Sequence, residues 1–170
     1  MDLLKTLEKE HSIEQRDKIV RYIGNDPERF AALMDLFLKG EYRLAQRAAW
    51  PMSYCVGNHP ELINPYFKQI VPLLTKPGVH DAVVRNIVRI LQFVTIPKRY
   101  HGQLMNACFD FIASNDIPVA IKAFSLTVLE NLSKEYPDIK SELKLIIEER
   151  WPHETAAFRS RAKKILKRQP

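Results

Sequence analysis

The sequence predicts an all-α fold, a solenoid of about four helical hairpins behind an N-terminal helical cap. Three observations carry this. Helical periodicity runs through almost all of the 170 residues, and the Val-Ile-Thr runs with period-two alternation that mark half-buried strands are absent. Glycines number only 5, and the 11 prolines fall mostly where helices should start or stop. The helices also return at a fixed interval, the signature of a stacked repeat in which each unit buries its apolar face against its neighbours.

The elements follow in order. Residues 1–24 read as a non-repeating cap, in which Ser12 and Gln15 form a capping box, Ile13, Ile19, Val20 and Ile23 share one side and Gly24 ends the helix. At "NDPE", Asn25 or Asp26 caps the next helix and Pro27 takes a tolerated first-turn position. From there the helices pair as 28–39 with 41–57, 65–75 with 79–95, 99–114 with 117–135, and 138–150 with 153–168. Short links between apolar-faced helices make them antiparallel neighbours. The repeats are then about 27–58, 62–96, 99–136 and 138–169, in a single domain spanning 1–170. The core should contain Phe30, Leu33, Phe37, Ala48, Met52, Ile70, Leu74, Ile87, Leu91, Leu104, Cys108, Ile112, Leu126, Leu129, Leu143 and Ile147.

The second helices can be superposed. "LAQRAAW", "AVVRNIV", "VAIKAFS" and "FRSRAKK" each place a cation at one point, Arg47, Arg85, Lys122 and Arg161, at spacings of 38, 37 and 39 residues. An acid stands four to seven residues earlier: Glu41, Asp81, Asp116 and Glu154. This pattern resembles HEAT repeats, in which a short turn carrying an acid precedes a hydrophobic–Arg opening of the second helix. "VVR" at 83–85 and "AIK" at 120–122 match that opening, "AQR" at 45–47 matches loosely, and "RSR" at 159–161 only in its arginine. Pro72 falls where such repeats often carry a bend-inducing proline. The resemblance covers about 27–169 and implies a right-handed α-α superhelix whose second helices line a concave binding surface. Tetratricopeptide arrays, with a period of about 34 and a Trp-Leu-Gly-Tyr pattern, do not fit.

On the first of these helices, 100° per residue gathers positions 45, 48, 49, 52, 55 and 56 on one side. Arg43, Arg47, Trp50 and Tyr54 form a stripe roughly opposite, and Pro51 predicts a bend between itself and Arg47. Equivalent stripes carry Asp81, Arg85, Arg89 and Gln92, then Lys122, Ser125 and Glu130, then Arg161, Lys164 and Arg168. Two readings are open for the repeated cations: a ladder of ion pairs to the repeated acids, or a binding wall rich in Arg, Trp and Tyr, the residue types that dominate interface energetics. Trp50 has two placements as well, packed under the N-terminal helices or facing a ligand. The candidate binding residues are Arg43, Arg47, Trp50, Tyr54, Arg85, Arg89, Lys122, Arg161, Lys164 and Arg168.

Charge narrows the partner classes. The net charge of +6 resides in the last helix, where Arg159, Arg161, Lys163, Lys164, Lys167 and Arg168 stand with no acid from Phe158 onward. Setting those aside leaves 20 basic against 20 acidic residues. The run is either a solvated face whose cations complement the helix dipole or a patch for an acidic partner or nucleic acid. A protein partner is the first expectation and nucleic acid the alternative. In architecture the chain is also similar to HEAT-like DNA glycosylases that act on alkylated bases, which implies a carboxylate beside paired aromatics. Asp81 and Glu130 are the acids on the inferred stripes, and neither is near Trp50 in sequence.

Enzymatic signatures are otherwise missing. His11, His59, His80, His101 and His153 are scattered without HExxH spacing, Cys55 and Cys108 lie inside apolar stripes, and no Walker, GxGxxG or GxSxG motif occurs. No cofactor, metal or catalytic residue is expected. No apolar run reaches the roughly 18 residues of a membrane span, and the acidic start lacks a signal-peptide pattern, so the expected location is cytoplasmic.

Overall fold

A computed structural model describes residues 1–168, and among them there are helices and turns but no strand. The chain divides into two compact units, with the boundary between Thr95 and Ile96.

The first unit contains α1 (Leu3–Lys9), α2 (Ile13–Ile23), α3 (Pro27–Lys39), α4 (Tyr42–Asn58), α5 (Phe67–Ile70) and α6 (Asp81–Leu91). Its helix starts follow local chemistry. Asp2 accepts from the Lys5 amide, Asp26 accepts from the amides of Glu28 and Arg29 behind Pro27, and His80 Nδ1 accepts from the Ala82 amide. Ser12 accepts from the Gln15 amide as one half of a capping box. The other half is diverted, because the Gln15 side chain donates to the Thr6 carbonyl at the end of α1. Of the apolar residues expected on one side of α2, Ile19 and Ile23 are buried but Ile13, the first helical residue, is exposed.

Between α3 and α4 only Gly40 and Glu41 intervene. A Cβ at Gly40 would sit inside contact distance of the Leu36 carbonyl oxygen and the Leu44 side chain, so this hairpin requires glycine on steric grounds. α3 packs against α4, and α4 against α6 and α2. The expected helix over 65–75 is broken. Pro60–Tyr66 and Val71–Leu74 are 3-10 turns flanking the single α-turn of α5, with Pro65 and Pro72 inside them. A proline has no amide to donate and crowds the preceding turn, so two prolines seven residues apart leave little room for a continuous α-helix. α4, by contrast, runs as one α-helix through Pro51, which is buried.

The second unit contains α7 (His101–Ala113), α8 (Val119–Leu132), α9 (Ile139–Arg150) and α10 (Ala156–Arg168). α8 is its central element, packed on α7 and on α10. His101 is a buried polar member of this unit: one ring nitrogen, Nε2, lies 2.7 Å from the Ile96 carbonyl and the other, Nδ1, 3.0 Å from the Tyr136 hydroxyl. A carbonyl only accepts, so Nε2 carries a proton, and in the neutral ring Nδ1 accepts from the Tyr136 hydroxyl.

Every core residue expected from the periodicity is buried. Burying a side chain of this size contributes about 1.5–3 kcal/mol, most of it offset by chain entropy. Cys55 and Cys108 are buried free thiols, and desolvation pushes both up to about 12. They behave as small core hydrophobes.

Candidate functional site

The candidate residues divide into three groups by what surrounds them. Arg47 and Trp50 lie against the N-terminal hairpin. The guanidinium Nη1 of Arg47 donates to the carbonyls of Leu7 at 2.9 Å and Glu8 at 2.8 Å, near the C-terminal end of α1. α1 has no glycine cap, and its last carbonyls would otherwise lack partners. A cation at that end also meets the negative pole of the helix dipole. With Gln15 on Thr6, side chains from α2 and α4 together cap α1.

Of the two placements open to Trp50, the structure shows the packed one. Its ring is 4.8 Å from that of His11, the Arg16 guanidinium lies 4.9 Å above it, and the space left beside it and Pro51 under α1 and α2 is about 10 Å³. That is too little for a nucleobase or a partner side chain. Arg16 also lies 4.1 Å over the Tyr54 ring and is bonded to Asp17 at 2.8 Å.

The second group is held inside the second unit. Lys122 is buried, 3 % exposed, with its ammonium 2.6 Å from Glu154 Oε1. Arg150 approaches the same carboxylate oxygen at 3.0 Å and reaches Asn115 Oδ1 at 2.7 Å. Here the cation of one repeat meets the acid of the next, so the ladder reading holds at this level. At the first level it does not hold, because Arg47 bonds carbonyls. Arg161 bonds the Thr127 hydroxyl at 3.0 Å and lies over Phe124. Arg168 pairs with Glu130 at 3.2 Å. Lys122 therefore presents no charge at the surface, while Lys164 is exposed.

The third group is open. Arg43 is exposed on a cleft of about 360 Å³ shared with Glu8, Glu41 and Arg47, where both signs of charge mix. Tyr54 and Arg89 line a second cleft of about 330 Å³, together with Ser53, Gly57, Asn58 and Phe93. Four of these lie at the end of α4, Arg89 lies in the last turn of α6, and Phe93 lies two residues past the end of α6. Phe93 is 61 % exposed and Tyr54 39 %. Neither Arg85 nor Arg89 has an acidic partner within ion-pair distance among the described residues.

Phe93, Gly57 and Asn58 are not among the residues that the sequence pattern singles out. A signal existed for Phe93. On the 100° wheel it falls opposite Val84, on the side that carries Arg85 and Arg89, and so off the core stripe. Among the described residues no group of three or more His, Cys, Asp or Glu side chains could hold a metal ion, and no helix is long and apolar enough to cross a membrane.

A family model described as a HEAT repeat domain matches residues 3–169. Comparison with curated proteins and with solved structures gives no match.

Proposed function

The chain belongs to the HEAT repeat family, and from that premise we propose that it is a non-catalytic binding protein whose partner docks on the α4–α6 face of the first unit. Stacked helical repeats offer extended surfaces of this kind, and protein partners are their common ligands. One observation carries the choice of face: two exposed aromatic rings, Tyr54 and Phe93, wall a cleft beside an arginine without a counter-charge. Tyr and Arg are enriched where interfaces concentrate their binding energy, and a large exposed ring is costly to leave in water. Arg43 and Arg85 extend the basic character of the face, and Arg47 and Trp50 support it from beneath the N-terminal hairpin.

Affinity capture with the full chain tests this. Phe93→Ala and Arg89→Glu should lose a partner that Leu145→Ala retains, since Leu145 is an equally exposed apolar residue on α9. The same partners on all three variants, each folded by circular dichroism, would remove the α4–α6 face from consideration.

A second reading, nucleic-acid binding, draws on α10. Lys163, Lys164 and Lys167 are exposed there, and no acid stands on that helix to neutralise them. It requires retention of a DNA or RNA strand at low salt, with the logarithmic salt slope falling by roughly one unit for each phosphate-binding lysine replaced. Lack of retention ends it.

A further inference from the structure

Resting on the α4–α6 reading, we propose that the Tyr54–Phe93 cleft takes an acidic peptide segment of the partner, with one apolar side chain between the rings and a neighbouring Asp or Glu carboxylate on Arg89. The observation that points to an occupant is Gly57. It lies within α4 at negative φ, and a Cβ built there meets nothing within 4 Å. The fold has no steric need for glycine at this position, and glycine weakens a helix relative to alanine. Gly57 lines the cleft beside Tyr54 and Asn58, and its missing side chain leaves that part of the lining bare. A backbone kept bare in this way lets another chain approach closely.

The rest of the cleft sets the chemistry. Phe93 and the part of Tyr54 that Arg16 leaves uncovered offer apolar walls, and Arg89 offers a planar donor fork suited to a carboxylate. The Asn58 side chain makes no hydrogen bond among the described residues, so its amide is available as a further donor. Arg89 is only partly exposed and has no acid beside it, which makes an anionic occupant the complementary one. Recognition of a phosphate draws on clustered arginines. This cleft is lined by one, which fits a singly charged carboxylate.

The test selects a phage-displayed library of random 12-residue peptides on the full chain, then measures the enriched peptide by fluorescence anisotropy. The expected peptide carries an Asp or Glu within a few positions of an aromatic or aliphatic residue. Gly57→Leu, which covers the bare lining, and Phe93→Ala should each weaken it at least tenfold. Arg89→Gln should weaken it about tenfold and bind the peptide and its carboxylate-to-amide analogue alike. Enrichment of peptides without an acid, or indifference to Arg89→Gln while Gly57→Leu and Phe93→Ala still abolish binding, overturns the acidic occupant and leaves the docking face standing. Preference for a phosphoserine version of the peptide over the carboxylate one also overturns it. If nothing is enriched, or the enriched peptide binds Gly57→Leu and Phe93→Ala like the parent, both the occupant and the face are wrong.

Discussion

Replacing Glu154 by Gln should cost the second unit more than replacing its partner Lys122 by Met. Both side chains are 4 % exposed and their charges stand 2.6 Å apart. Breaking a buried pair by removing one member costs about 3–5 kcal/mol, because the survivor is left charged and unsolvated. The two halves of this pair are not equivalent. With Lys122 gone, Glu154 keeps Arg150 at 3.0 Å as a counter-charge, so Lys122→Met should fall near or below ~3 kcal/mol. With Glu154 neutralised, Lys122 has no other acid within ion-pair distance among the described residues, so Glu154→Gln should reach ~4–5 kcal/mol. Arg150 retains Asn115 in either case. Lys122→Met combined with Glu154→Leu should recover part of that loss, since no buried ammonium is then left uncompensated and the charge that loses its acid is the part-buried Arg150, which keeps Asn115. Urea unfolding can be followed by Trp151, which follows Arg150 in the chain, in a Trp50→Phe background where it is the sole tryptophan. Stability differences then follow from the midpoints at constant slope. Equal losses for the two single variants, or a double variant worse than either, would refute the asymmetry argued from Arg150.

Further predictions concern the first unit and the thiols. Arg47→Met removes the guanidinium from the Leu7 and Glu8 carbonyls, which should lower the opening free energy of residues 3–9 by about 1.5–3 kcal/mol in native-state hydrogen exchange. Exchange unchanged in α1 would contradict that role. Gly57→Ala should stabilise the chain by up to ~1 kcal/mol, less if the helix end frays there, and a loss of stability would show a steric role for the glycine. The thiols of Cys55 and Cys108, held at about 12 by burial, titrate in the unfolded chain near ~8.5. Their contribution is complete below that value and is lost as pH rises from there toward 12, by about 1.4 kcal/mol per pH unit for each thiol. Cys108→Ala should therefore flatten the fall in stability between pH 9 and 11, and an unchanged slope would refute it.

Much of the fold was legible because its signals are local or periodic. The spacing of Arg47, Arg85, Lys122 and Arg161 located the second helices, and the 3.6-residue stripes gave core residues from Phe30 to Ile147 that are all buried. Where two prolines shared a segment, at Pro65 and Pro72, periodicity overrode chain chemistry and suggested a helix that 3-10 turns replace. The candidate site was less legible. Helical wheels put Arg47 and Trp50 opposite the core of α4, which is correct, but the side of a helix away from one core can lie beneath another element. α1 and α2 carry no cation in the series at 47, 85, 122 and 161, so no spacing announces that they cover it. Lys122 and Glu154 had matching charges in sequence, yet only tertiary packing brings the acid of one turn to the cation of another. Gly57 contributes nothing to an apolar pattern, and its meaning appears only when the space above it is known to be open.

Hydrogen exchange of the full chain, with and without a partner captured by the parent but not by Phe93→Ala, tests the docking face most directly. New protection should be confined to the end of α4 around Tyr54–Asn58 and the end of α6 around Arg89–Phe93. Protection on α10 or α9 with none at these two helix ends would contradict the proposed face.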